Sequence, residues 1–222
     1  MAENEARYAQ FIEHTLLKPE ATVQDIMRLC DEARQHNLLA VCVNPCYAGL
    51  ARHLLAGSNV KVATVVGFPL GADRTATKAV AAQLAVEEDH VDEIDMVMNI
   101  AAFKSGNDDA VISDITAVVA ASRPCPVKVI IETCLLTDDE KRRACKLVAQ
   151  GGAAFVKTST GFNKGGATVH DVELLAAEAK KYGLKVKAAG GIRNRQTAEA
   201  MLKAGADRLG TSAGVAIAAG EP

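Results

Sequence analysis

With 222 residues, 49% of them hydrophobic and 23% charged, the chain is long enough for one sizeable core and short for two, so a single domain over residues 1–222 is expected. Lys and Arg number 25 against 27 Asp and Glu; the net charge of −2 gives no field for recruiting a polyanion, which sets nucleic acid aside as a partner. A mean hydropathy of +0.08 and the lack of an uncharged apolar run of about 18 residues exclude a membrane helix.

The N-terminal stretch from Met1 to Gln10 carries Glu3, Glu5 and Arg7 rather than the apolar segment of a secretory signal, so a cytoplasmic location is expected, with a short helix over Glu5 to Gln10. A brief strand follows around Phe11 to Thr15. Between Thr22 and His36, apolar residues at Val23, Ile26, Met27, Leu29, Cys30 and Ala33 trace a helical stripe, with Thr22 as N-cap. Leu38 to Val43 is a continuous apolar run of the kind a strand buried on both faces requires. The alternation then repeats. A helix after Pro45 precedes strand Val60 to Val66, and helix Thr75 to Glu88 precedes strand Glu93 to Met98. Helix Asp108 to Ala121, strand Val127 to Ile131, helix Thr137 to Ala149 and strand Ala154 to Lys157 come next. Helix Thr168 to Lys180, strand Lys185 to Ala189, helix Arg195 to Ala204 and strand Asp207 to Gly210 complete the series, and a last short helix follows Ser212. Eight strand–helix pairs without a linker predict an α/β fold, a closed (β/α)8 TIM barrel, built with few insertions because such barrels usually take roughly 250 residues.

Two segments echo each other. GAAFVKTSTG (Gly152 to Gly161) and GADRLGTSAG (Gly205 to Gly214) place Lys157 and Gly210 at the same C-terminal strand edge, where barrels keep their active sites. The six cysteines, Cys30, Cys42, Cys46, Cys125, Cys134 and Cys145, form no CxxC pair and read as reduced thiols.

Asp95, Lys157 and Lys187 stand in or at the ends of otherwise apolar strands. Taken alone, a lysine near a strand end ordinarily reaches water. Three such groups on three strands of one barrel point inward to a common face, and two ammoniums there disfavour each other's protonation. A lysine that loses its proton is a nucleophile toward carbonyls, forming a Schiff base, and Asp95 is placed to move protons to and from the adduct. Nothing in the sequence calls for a metal or another cofactor: the five histidines make no HxH or HxxxH pair, and neither GxxxxGK[ST] nor GxGxxG occurs. Gly161, Gly190, Gly191, Thr211 and Ser212 close strands six to eight, where backbone N–H groups and the start of a short helix form a phosphate site; Arg193 lies just beyond. A small phosphorylated carbonyl compound is therefore the expected ligand.

The segments HTLLKPEAT, AVCVNP, VVGFPLG, EIDMVMN, KVIIET, FVKTSTGF, GGAT, KAAGGIR and LGTSAG, in that order along nearly the whole chain, closely resemble the deoxyribose-phosphate aldolase family. The resemblance implies a class I aldolase that reversibly cleaves 2-deoxy-D-ribose 5-phosphate to D-glyceraldehyde 3-phosphate and acetaldehyde. Lys157 would match its Schiff-base lysine, Lys187 the lysine that lowers its pKa, Asp95 the acid/base group acting through water, and Gly161, Gly190, Gly191, Thr211 and Ser212 the phosphate site. A dimer is also what the resemblance implies. Cys42 lies where some relatives expose a thiol to reactive aldehydes, with a packed core thiol as the alternative. Glu13 replaces an Asp common in the family and carries no assigned role, and after strand eight the chain runs only to Pro222, so a longer tail reaching the site is not expected to contribute. Two other readings stay open: a transaldolase-like or epimerase barrel acting on a sugar phosphate, and a barrel that binds a sugar phosphate without turning it over.

Overall fold

The computed structural model describes residues 8–220. Eight parallel strands, β1 (Ile12–Leu16), β2 (Ala40–Val43), β3 (Lys61–Val66), β4 (Glu93–Val97), β5 (Val127–Ile130), β6 (Phe155–Lys157), β7 (Lys185–Ala189) and β8 (Arg208–Thr211), pair in sequence order. Pairing of β8 with β1 closes the (β/α)8 barrel. Around it stand α1 (Val23–Gln35), α2 (Ala48–Leu54), α3 (Thr75–Glu87), α4 (Ile100–Lys104), α5 (Asp108–Ala121), α6 (Asp138–Gln150), α7 (Val169–Ala179), α8 (Arg195–Lys203) and α9 (Gly214–Ala219).

Side-chain caps set several helix starts. Thr22 accepts from Asp25 N while the Asp25 carboxylate accepts from Thr22 N (2.9 Å), a reciprocal box that satisfies two free helix donors. Thr137 and Glu140 repeat it at α6. Three departures from the sequence reading have local causes. Leu38 and Leu39 precede β2 because Leu38 N–H is spent on Ala33 O (2.9 Å) at the end of α1. The segment after Pro45 begins as a 3₁₀ turn over Pro45–Tyr47 before α2. The unexpected α4 is a single turn started by Asn99, whose side chain accepts from Ala102 N (3.0 Å), and it is too short to display a hydrophobic period. Of the helix expected over Glu5 to Gln10, residues 5–7 lie outside the described residues; Tyr8 and Ala9 are helical.

Strand alternation sorts the core into two parts. Outward residues such as Ile94, Met96, Val129, Val156, Val186 and Leu209 pack under the helices in the main hydrophobic cluster. Inside the barrel the only hydrophobic cluster among the described residues is small, Leu17, Cys42, Ala63 and Val65 with Phe68 against it. The rest of the interior carries charge: Glu13, Glu93, Asp95, Lys128, Lys157 and Lys187 are all buried. Among the described residues no helix is long and apolar enough to cross a membrane.

Candidate active site

Register brings the charged residues together. Lys157 on β6 is the direct partner of Lys187 on β7, and Asp95 on β4 that of Lys128 on β5. Lys157 Nζ and Lys187 Nζ both donate to Asp95 Oδ2, at 2.6 and 2.7 Å, so the two nitrogens face each other across one carboxylate oxygen. Lys128 Nζ donates to the other oxygen, Oδ1, at 2.9 Å. Lys187 also donates to Glu13 Oε2, and Lys128 lies 3.3 Å from that oxygen and 2.5 Å from Glu93 Oε2. Small residues make the space. A Cβ on Gly210 would come within 3.1 Å of both Ala189 Cβ and Lys187 Cε, so glycine at this point of β8 leaves the Lys187 side chain its room.

All three residues predicted to carry chemistry therefore meet at one point. Burial on its own drives the Asp95 carboxyl up, and the neighbouring Lys128, Lys157 and Lys187 overturn it, leaving the group well below the usual carboxylate range. Burial likewise works against the Lys187 ammonium, but Asp95 and Glu13 outweigh burial and Lys128 together and raise it above the ordinary lysine value. This corrects the expectation that the lysines simply disfavour each other's protonation: at Lys187, fully buried carboxylates dominate, and Lys187 is a cation at neutral pH.

The sequence reading gave Glu13 no role and missed Glu93 and Lys128 as members of this cluster. Lys128 sits in VKVI, a charged residue in a buried strand, and the criterion that singled out Lys157 applies equally to it. Glu13 stands in a strand whose pattern is otherwise unremarkable, and only closure of β1 onto β8 brings it to Lys187. Cys42 is wholly buried beside Ala63 and Val65, and burial, with Asp95 adding to it, pushes its thiol up to about 11, which fits the packed-thiol alternative.

Above the cluster, at the C-terminal end of the strands, opens a cavity of about 430 Å³. Lys157 is on its wall, whereas Lys187 and Asp95 lie beneath. Gly161, Gly190, Gly191, Thr211 and Ser212 all line it, joined by two cations, Arg193 and the unpredicted Lys18 of HTLLKP. Gly190 and Gly191 take φ of +89° and +79°, a left-handed pair that turns the chain from β7 toward α8. A Cβ on Gly166 would collide with the Gly190 carbonyl, and Ala167 N–H donates to that carbonyl at 3.0 Å, so GGAT allows the loop after β6 to lie on the end of β7. Thr211 Oγ1 donates to Ile192 O (2.6 Å) and accepts from Ala213 N (2.9 Å), fastening the loops after β7 and β8 together. Ser212 lies two residues before α9 rather than at its start: Ala213 is the N-cap, and its N–H is held by Thr211 Oγ1. The rim thus gathers glycines, Thr211, Ser212 and two cationic side chains above the buried Lys157.

A barrel with this arrangement has the makings of an enzyme for phosphorylated carbonyl compounds. The chain belongs to the DeoC/LacD family of aldolases, which are lyases; the model of that family matches residues 7–219. It is 52% identical over 218 residues to a deoxyribose-phosphate aldolase of Geobacillus sp. (strain WCH70), covering 98% of this chain and 97% of the relative. To a deoxyribose-phosphate aldolase of Streptococcus gordonii it is 54% identical over 212 residues, covering 96% of each. Among solved structures, the deoxyribose phosphate aldolase of Aeropyrum pernix, described as a unique tetramer, superposes with a TM-score of 0.87 at 32% identity, covering 98% of this chain and 95% of that one.

Proposed function

We propose that the chain is a class I aldolase that reversibly cleaves 2-deoxy-D-ribose 5-phosphate to D-glyceraldehyde 3-phosphate and acetaldehyde through a Schiff base on Lys157. The observation that carries the reading is one carboxylate oxygen, Asp95 Oδ2, shared by two buried lysines under a glycine-lined cavity. Its relatives named deoxyribose-phosphate aldolase support the substrate.

Lys157 Nζ, as the free amine, attacks C1 of the open-chain sugar, and loss of water from the carbinolamine gives the iminium. Removal of the C3 hydroxyl proton breaks the C2–C3 bond, releases D-glyceraldehyde 3-phosphate and leaves the bonding pair on C2 as an enamine. Protonation at C2 and hydrolysis then free acetaldehyde and regenerate the amine. Asp95 handles these protons directly or through a water, and the Lys187 cation favours the neutral form of its neighbour. The rim of Gly161, Gly190, Gly191, Thr211 and Ser212 receives the phosphate. No metal or other cofactor takes part in this scheme. In this reading one domain over residues 1–222 works in the cytoplasm, in deoxyribose phosphate breakdown.

Product analysis tests the activity. Incubation with 2-deoxy-D-ribose 5-phosphate is expected to release acetaldehyde and D-glyceraldehyde 3-phosphate in equal amounts. Conversion without acetaldehyde would assign an isomerase or another aldol donor, and tight binding without turnover would leave a binding protein.

A further inference from the structure

Glu132 follows β5 and takes no part in the lysine cluster. It is buried, yet its backbone is left-handed (φ 54°, ψ 68°), a conformation that side chains other than glycine seldom adopt. Both carboxylate oxygens are spent on one residue of the neighbouring loop: Oε1 accepts from Thr160 N at 3.1 Å and Oε2 from Thr160 Oγ1 at 2.5 Å. Thr160 Oγ1 in turn accepts from Phe162 N at 3.1 Å, which folds Thr160, Gly161 and Phe162 into a tight turn with Gly161 at φ +84°. All three residues line the cavity, and Glu132 does not. The Phe162 ring meets Phe68 edge-to-face at 5.3 Å, so the same turn also sets one side of the mouth.

We propose that Glu132 is a positioning residue that fixes the Thr160–Phe162 backbone to receive the anionic end of the substrate, and so helps determine preference for phosphorylated over free sugar. The inference rests on the phosphate role given above to Gly161. A carboxylate suits the task because it can accept two converging donors from one residue, whereas a neutral amide keeps a single accepting oxygen and must turn its NH2 group toward the other of the two Thr160 donors. A buried, charge-assisted pair of bonds holds the turn against a peptide otherwise free to rotate around Gly161. Both oxygens are turned to Thr160, and Glu132 presents neither of them to the cavity.

The test compares steady-state kinetics on 2-deoxy-D-ribose 5-phosphate and on free 2-deoxy-D-ribose for the wild type, Glu132→Gln and Thr160→Val. The wild type favours the phosphorylated sugar in kcat/KM, and in both variants that preference falls about tenfold, mainly through KM for the phosphorylated sugar, as expected for loss of one charge-assisted hydrogen bond. Thr160→Ser, which keeps the hydroxyl, restores the ratio. An equal loss on both substrates, or none, in a folded Glu132→Gln or Thr160→Val protein overturns the inference while leaving the phosphate site standing. A wild type that does not discriminate between the sugars overturns the phosphate reading and, with it, this one.

Discussion

Lys187 shows how a buried ammonium can be useful while remaining charged. Its nitrogen is held by Asp95 and Glu13, which together keep it protonated in a place where burial alone would strip the proton. In the proposed mechanism this fixed cation, which shares Asp95 Oδ2 with Lys157, opposes a second positive charge there, as an attacking amine requires. Replacing Lys187 by Leu is therefore expected to move the pH–rate profile of kcat/KM toward alkaline pH by about one to two units, the influence of one ammonium a few ångströms away in a protein-like dielectric. An unshifted profile in a folded variant would remove Lys187 from that role. Lys157, Lys187 and Asp95 were legible in the sequence because charge inside an apolar strand is conspicuous. Glu13 was not, since its importance comes from barrel closure and is invisible in β1 alone. The left-handed backbone of Glu132 and its hold on Thr160 belong to the same class of long-range fact.

At the scale of elements, the fold was largely readable because the helical stripes and apolar runs alternate with little interruption, and Thr22, Thr137 and Thr168 mark helix starts where the expected helices begin. What escaped was short or depended on neighbours: the single turn of α4, and the packing of α3, whose inward lysine no periodicity announces. Lys78 on α3 is buried, donates to Asp114 on α5 at 2.6 Å and to Val97 O at the end of β4 at 3.0 Å. Thr75 also donates to Asp114, at 2.9 Å. One ion pair thereby ties two helices to the strand that carries Asp95. Lys78→Met strands a buried carboxylate and is expected to lower stability by about 3–5 kcal/mol in chemical denaturation, with much of the loss recovered in Lys78→Met/Asp114→Leu. A single variant as stable as the wild type would show the pair to be dispensable.

Across the whole molecule, the buried charges make stability depend on pH from both sides. Asp95 is held below its ordinary value, so the stabilisation it contributes is complete above about pH 4, the unfolded carboxyl's range, and is lost as the pH falls through the lower folded value. Burial opposes the charge on Lys128 and Lys187, yet their carboxylate partners raise both, and their contribution is complete below about pH 10.4 and lost as the pH climbs through the raised folded values. The urea midpoint is accordingly expected to be broad and flat near neutrality and to fall at both extremes. A midpoint that climbed steadily as the pH dropped from 7 to about 4 would mean that the carboxylates are not stabilised in the folded barrel.

The same barrel interior that makes stability pH-dependent is asked to supply one reactive amine, and that is the claim on which the functional account stands. Borohydride reduction in the presence of acetaldehyde, followed by peptide mass spectrometry, addresses it directly. A single ethyl adduct on Lys157, lost in Lys157→Ala, is the expected result. An adduct that persists in Lys157→Ala, or that maps to Lys128 or Lys187 in the intact protein, would contradict it.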